Sequence, residues 1–257
     1  MKIGIIGTGK IGGTLVRKLR ASGHEVRVAN SRGPESVSGL AAETGSTPVT
    51  AAEVADGVDV LIVSVPFQKL TALKPIISEV ASDITVVDTS NYMPVSGEPG
   101  QYGANSVESI DKGQPETAWL QEQWGRPVVR AWNALTAHTL TEKGKAHGEP
   151  GRLALPVAGD SAESKQLVMR LVEDTGFDAV DAGTIADSWR QQFGTPAYGT
   201  ELTADRLREA LCHADREAAP KRRDAIVQIV STWQGPVAAQ DWLLLFRAAA
   251  RFPVADS

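Results

Sequence analysis

Strands alternate with helices from residue 1 to about residue 182, three glycines at fixed spacing part the first strand from the first helix, and strand signals stop after Gly183. These observations predict an α/β fold: a doubly wound, mainly parallel sheet of Rossmann type with a C-terminal helical appendage. The chain divides accordingly into a sheet domain over 1–183 and a helical region over 184–257.

The elements follow from local pattern. Lys2–Ile6 is apolar and β-branched and is stopped by Gly7, so it reads as a buried strand. Residues 10–22 place Ile11, Leu15 and Leu19 on one helical face, with Gly23 as the stop. A strand over 25–29 follows, then a helix over 34–44 with Pro34 in its first turn. Short segments at 47–49 and 51–56 read as a strand and a helical turn. Val58–Val65, "VDVLIVSV", carries the strongest strand signal, and Pro66 ends it. Residues 68–81 read as a helix, complicated by Pro75, and 84–88 as a strand. The Gly-, Pro-, Ser- and Asn-rich stretch 91–114 reads as an excursion. A helix over 115–124, strands over 127–132 and 153–158, an amphipathic helix over 161–175 and a strand over 178–181 complete the alternation. Beyond Gly183, Ile185, Trp189 and Phe193 recur at helical spacing until "GTPAYG" breaks the run. Residues 204–218, 220–233 and 237–252 then read as three helices.

Composition excludes several classes. The 257 residues carry a net charge of −5, which offers no basic field for nucleic acid or an anionic membrane. Cys212 is the sole cysteine, so no intrachain disulfide framework exists. No Cys/His group has structural zinc spacing, and no metal site is expected. No apolar run reaches the roughly 20 residues that span a bilayer. A reducing cytoplasm is the expected compartment.

Gly7-Thr8-Gly9-Lys10-Ile11-Gly12 fits G-x-G-x-x-G in the required strand–turn–helix context. The first glycine permits the tight turn, the second a close approach of backbone to a pyrophosphate, and the third close packing of helix on strand. The helix start then offers free N–H groups and partial positive charge to phosphates. At the tip of the second strand an NAD site usually carries an acid for the ribose 2′-hydroxyl. Here the residues are Asn30-Ser31-Arg32, and the nearest acids are Glu25 and Glu35. Arg32 can hold a 2′-phosphate by charge-assisted hydrogen bonds, with Ser31 adding a neutral one, so NADP(H) is expected. Ser64, Val65 and Pro66 lie at the carboxyl end of the fourth strand, where such sheets place ligands.

The chain resembles the NADP oxidoreductase, coenzyme F420-dependent family over residues 1 to about 183. "ANSRGPES" (29–36), "VVRAWNALTA" (128–137) and above all "PVAGDSAESKQLVMRLVEDTGFDAVDAG" (156–183) carry the likeness. The resemblance implies that Thr8, Gly9, Lys10 and Ile11 hold the pyrophosphate, and Ser31 and Arg32 the 2′-phosphate. It implies that Val65 and Pro66 line the nicotinamide ribose and that the Ala131 backbone meets the nicotinamide amide. It also implies a homodimer. The segments that would choose the acceptor, 91–114 and everything past Gly183, depart from the family.

Hydride transfer to a flavin-like or deazaflavin (F420) ring needs alignment more than acid–base help. A small-molecule hydride acceptor of that kind is the first reading. A carbonyl or imine reductase of β-hydroxyacid-dehydrogenase type is a second; it needs a proton donor. A non-catalytic NADP(H)-binding redox sensor is a third. Substrate-pocket candidates are Trp132 and Asn133 for stacking and hydrogen bonding, His138 as a donor, and Trp189 and Gln192 as a pocket wall. Lys165 and the run Lys221–Asp224 read as solvated helix faces, and His24 as structural.

Overall fold

The computed structural model describes residues 1–94, 106–233, 235 and 237–250. In chain order the elements are β1 (Lys2–Ile6), α1 (Lys10–Ala21), β2 (Glu25–Ala29), α2 (Ser38–Thr44), β3 (Thr47–Pro48), β4 (Val60–Val63), α3 (Lys74–Glu79) and β5 (Thr85–Asp88). Then come α4 (Glu108–Asp111), α5 (Glu116–Trp124), β6 (Val129–Arg130), α6 (Ala137–Glu142), β7 (Ala154–Val157), α7 (Ala162–Asp174) and β8 (Asp178–Asp181). Helices α8 (Ala204–Cys212), α9 (Ala218–Ser231) and α10 (Ala239–Ala250) close the described chain.

Six strands form one parallel sheet in the order β3-β2-β1-β4-β5-β6. The order reverses beside β1, which makes the β1/β4 crevice the topological switch point. Successive residues of β4 face opposite layers. Val60 and Ile62 join Ile3, Ile5, Leu15, Leu19 and Leu171 in one core. Leu61 and Val63 join Phe67, Leu70, Ile77, Leu120 and Trp124 in the other. A strand buried on both faces is what a continuous apolar run specifies.

The last two strands depart from the expected single sheet. β7 and β8 pair with each other in parallel. Among the described residues they join the main sheet only through an antiparallel bridge, Arg130 N–H to Ala158 O at 2.8 Å and Ala158 N–H to Arg130 O at 3.0 Å.

Several helices also depart from expectation. The expected helix over 68–81 is two short 3-10 turns, Phe67–Lys69 and Thr71–Leu73, followed by α3. Pro75 lacks an N–H and is tolerated only in a first turn, so the α-helix starts beside it. The expected helix over 204–218 ends at Cys212, because the Asp215 carboxylate accepts the N–H groups of Glu217 and Ala218 and opens α9. Helix α6 carries no clear apolar period and escapes a sequence reading. Residues 185–191 form a 3-10 segment, not an α-helix. Of the excursion 91–114, residues 95–105 lie outside the described chain, as do the final two of the helix expected over 237–252.

"GTPAYG" is a buried strap. Gly199 N–H donates to Ala134 O at 3.0 Å, and Ala154 N–H to Leu202 O at 2.8 Å. Phe193, Tyr198 and Phe246 pack edge to face, with ring centroids 4.7–5.4 Å apart, and clamp the strap to α10.

Candidate functional site

The three glycines have different physical tasks. Gly7 has φ +99°, and a Cβ there would run into the Ser64 carbonyl. A Cβ at Gly12 would run into the Gly7 carbonyl. Both glycines therefore serve packing of β1, α1 and the end of β4. Gly9 differs: it is exposed, it precedes α1, and a Cβ there would have no atom within 4 Å. Only there does the missing side chain leave a surface for something else to approach. Helix α1 has no side-chain cap and no acid in its first turn, so its leading N–H groups keep their positive potential. Lys10 beside it is exposed, while Ile11 is half-buried against the core.

The loop after β2 is tied by Asn30. Its Oδ1 accepts from Arg32 N–H at 2.8 Å and Ser36 Oγ at 2.7 Å, and its Nδ2 donates to Thr8 Oγ1 at 3.3 Å. Asn30 thus positions the loop and links it to the glycine turn. Ser31 and Arg32 stand exposed. The Arg32 guanidinium makes no ion pair or hydrogen bond with the described residues. Arg17 is instead held bidentately by Glu43, at 2.6 and 2.8 Å. An uncapped helix start, a bare Gly9 and an uncommitted Arg32 fit a dinucleotide with a 2′-phosphate. These features line a cleft of about 610 Å³ with Thr8, Ser36, Leu40 and, from α6, Ala137, His138, Thr141 and Glu142.

Ser64 and Val65 lie against Gly7 at the end of β4, with Pro66 exposed beyond them. Ala131 is a correction: it is fully buried and its N–H donates to Asp88 O at 3.2 Å, so it has no accessible surface for a nicotinamide amide.

The acceptor candidates do not converge. Trp132 is a core residue: it is 1% exposed, has φ +54°, and donates from Nε1 to Thr175 Oγ1 at 3.2 Å. Its ring is therefore not available for stacking. Asn133 is equally buried and bonds to Gln191 O and Nε2 (both 2.8 Å) and to Asn91 Oδ1 (3.2 Å). His138 is exposed on α6 and faces the glycine-turn cleft. Trp189 and Gln192 border a separate crevice against α4 and α9, where Arg190 and Arg216 cover the Trp189 ring. Lys165 is not on a solvated face, since its ammonium pairs with Asp181 at 2.8 Å and is 14% exposed. Nor is Arg223, which is buried, pairs with Asp224 and covers the Tyr92 ring. His24 is structural, hydrogen-bonded to Asp174 at 2.9 Å.

What the sequence reading missed is a buried charged cluster at the carboxyl ends of β5 and β6. Arg130 has no solvent exposure and pairs with Glu116 at 2.5 Å and Asp88 at 3.3 Å, both 1% exposed. It also donates to Thr117 Oγ1 at 2.7 Å and Asn91 Oδ1 at 3.3 Å. Burial pushes the Glu116 carboxyl up despite Arg130, and Tyr198 is raised by burial and by the Glu116 charge. Ser90 Oγ, Glu116 Oε1, Arg130 Nε and Gln191 Oε1 are buried without a partner among the described residues. The arginine within "VVRA" was the available signal, because a charge inside an apolar strand demands a buried acid. Sequence spacing gave no way to choose Asp88 and Glu116. Elsewhere, His147, Glu173 and Asp178 could group around a metal ion, but Arg152 donates to all three and fills that place.

The switch-point crevice and the glycine turn define a doubly wound dinucleotide-binding fold. Within it, residues 2–92 match the family described as NADP oxidoreductase, coenzyme F420-dependent. YjhV of Escherichia coli (strain K12) is 59% identical over 51 residues, 20% of this chain and 37% of its own. Metalloreductase STEAP3 of Rattus norvegicus is 27% identical over 187 residues, 73% of this chain and 35% of its own. The chain thus spans about a third of the length of these relatives. The crystal structure of hypothetical protein SMa0349 from Sinorhizobium meliloti aligns with TM-score 0.64 and 28% identity, covering 79% of this chain and 95% of that one. A "putative f420 dependent nadp-reductase" from Arthrobacter sp. fb24 aligns with TM-score 0.59 and 24% identity over 72% and 86% of the two chains, which shows the shared fold.

Proposed function

We propose that this chain is an NADP(H)-dependent oxidoreductase that passes hydride between NADPH and a flavin-like or deazaflavin acceptor. The observation that carries the cofactor is the loop after β2, where no acid stands at the strand tip and Arg32, two residues beyond Asn30, makes no side-chain ion pair among the described residues. The match of residues 2–92 supports the reaction class.

Bound NADP(H) supplies the hydride. The residues of this chain bind and orient: the α1 start and Gly9 receive the pyrophosphate, Lys10 adds charge, and Ser31 and Arg32 hold the 2′-phosphate. Val65 and Pro66 would border the nicotinamide ribose. Such a reaction asks the protein for alignment of two rings more than for a proton.

The test has two parts. Arg32→Ala is expected to weaken NADPH by about 10- to 100-fold, the worth of hydrogen bonds to a charged group, and to leave NADH nearly unchanged. Equal effects on both cofactors would overturn the cofactor reading. NADPH oxidation is then measured against a deazaflavin, FMN and a carbonyl panel. Turnover of carbonyls alone would replace the acceptor reading with a carbonyl reductase, and tight binding without turnover would replace it with a sensor.

A further inference from the structure

Helix α6 has six residues, too few to keep a helical shape by itself. Its position is set by what holds it. Leu140 is buried in one of the two cores of the sheet, and Thr141 Oγ1 meets Thr14 Oγ1 of α1 at 3.2 Å. A third hold comes from beyond Gly183: Thr139 Oγ1 donates to Glu201 Oε1 at 2.8 Å. A carboxylate only accepts, so this bond takes up the Thr139 hydroxyl proton. Thr136 then donates to Thr139 Oγ1 at 2.8 Å and keeps a lone pair to cap the helix, accepting from Thr139 N–H at 3.1 Å. Glu201 thus orders both hydroxyls at the head of α6.

Glu201 stands there against its backbone preference. Its φ is +55°, a conformation that glycine adopts freely and glutamate rarely. The cause lies on both sides of it. Gly199 N–H donates to Ala134 O at 3.0 Å, Arg247 Nε to Thr200 O at 3.1 Å, and Ala154 N–H to Leu202 O at 2.8 Å. These bonds tie the strap to the β6–α6 loop, to α10 and to β7, and the chain turns at Glu201 between them. Glycine would suit that backbone. Among the described residues, the bond to Thr139 is the one hydrogen bond of the glutamate side chain. A strained residue fixed by its surroundings points to a task for the side chain it carries.

The place of α6 matters because Thr141 and Glu142 line the same cleft as Thr8 and Gly9 of the glycine turn. We propose that Glu201 is a positioning residue of the dinucleotide cleft: through Thr139 it fixes α6 as a wall of that cleft, without lining the cleft itself. The inference rests on the reading that NADP(H) binds at the glycine turn. It gives the C-terminal region, which departs from the family pattern, a part in holding the cofactor.

Wild type, Glu201→Gly, Glu201→Gln and Thr139→Val are compared. Dissociation constants of NADPH and NADH are measured by fluorescence, urea midpoints by circular dichroism, and exchange of the Thr139 and Leu140 amides by NMR in the free protein. Glu201→Gly is expected to keep a midpoint near wild type, because released strain offsets the lost bond. It is expected to weaken NADPH and NADH alike by about three- to tenfold, the worth of one hydrogen bond, and to speed exchange of both amides. Glu201→Gln keeps an acceptor for Thr139 and is expected to stay close to wild type in all three measurements. Thr139→Val is expected to weaken both cofactors as Glu201→Gly does, and the double variant to lose no more than either single one. Wild-type affinity in Glu201→Gly overturns the proposal, as does a Gln variant as weak as the Gly variant, or additive losses in the double variant. If wild type binds neither cofactor, the cofactor reading falls by itself and amide exchange decides the hold on α6. Unchanged exchange in Glu201→Gly then overturns the positioning role.

Discussion

Gly9 and Gly12 belong to one motif but answer to different forces. Gly12 is required by the folded chain, since a Cβ would enter the Gly7 carbonyl. Gly12→Ala is expected to destabilise by about 1–3 kcal/mol, the usual range for overpacking, in a urea titration. The added Cβ of Gly9→Ala has no described atom within 4 Å beyond its chain neighbours. Its stability is expected to stay within about 1 kcal/mol of wild type, as for a change at a helix N-cap. NADPH affinity is expected to fall at least tenfold, about 1.4 kcal/mol, in the same variant. A Gly9→Ala protein with unchanged affinity would count against approach of phosphates at this residue.

At the scale of elements, Arg130 decides how β5, β6 and α5 meet. Arg130→Met leaves Asp88 and Glu116 buried without a counter-charge, and a loss of about 3–5 kcal/mol is expected by urea unfolding. Glu116→Gln keeps an acceptor for Arg130 and for the Tyr92 N–H and is expected to cost about 1 kcal/mol or less at neutral pH. The pH dependence has a definite sign. Burial raises the Glu116 carboxyl, so between the ordinary carboxylate value and the raised one the folded state holds more of that proton than the unfolded chain does. That contribution is present at low pH and is lost as the pH rises through the raised value. The stability of Glu116→Gln relative to wild type is therefore expected to improve from about pH 4 upward. A difference that stays constant with pH would contradict a raised carboxyl.

At the scale of the whole molecule, the C-terminal helices are fastened to the sheet by the strap 193–202. Gly199 has φ +68°, and a Cβ there would run into the edge of the Phe246 ring. Gly199→Ala is expected to loosen α10 and raise hydrogen exchange there, while exchange in β1 and β4 stays slow. Ile229 of α9, Trp233 just after it and Leu244 of α10 are exposed, the last at 57%. Among the described residues, no helix is long and apolar enough to cross a membrane.

The six parallel strands, the glycine turn and the absence of an acid at the tip of β2 are legible in the chain alone. Those are local patterns: alternation, a six-residue motif and one loop, each legible because its physical cause lies within a few residues. Tertiary structure decided the rest. It sent Trp132 into the core, closed Ala131, gathered Asp88, Glu116 and Arg130 from separate elements, and set His138 on the wall of the glycine-turn cleft. In the sequence "GTPAYG" reads as a break, and packing on Phe246 makes it a strap. Each of these depends on which distant segments meet, and contact between distant segments leaves no period in the chain to read.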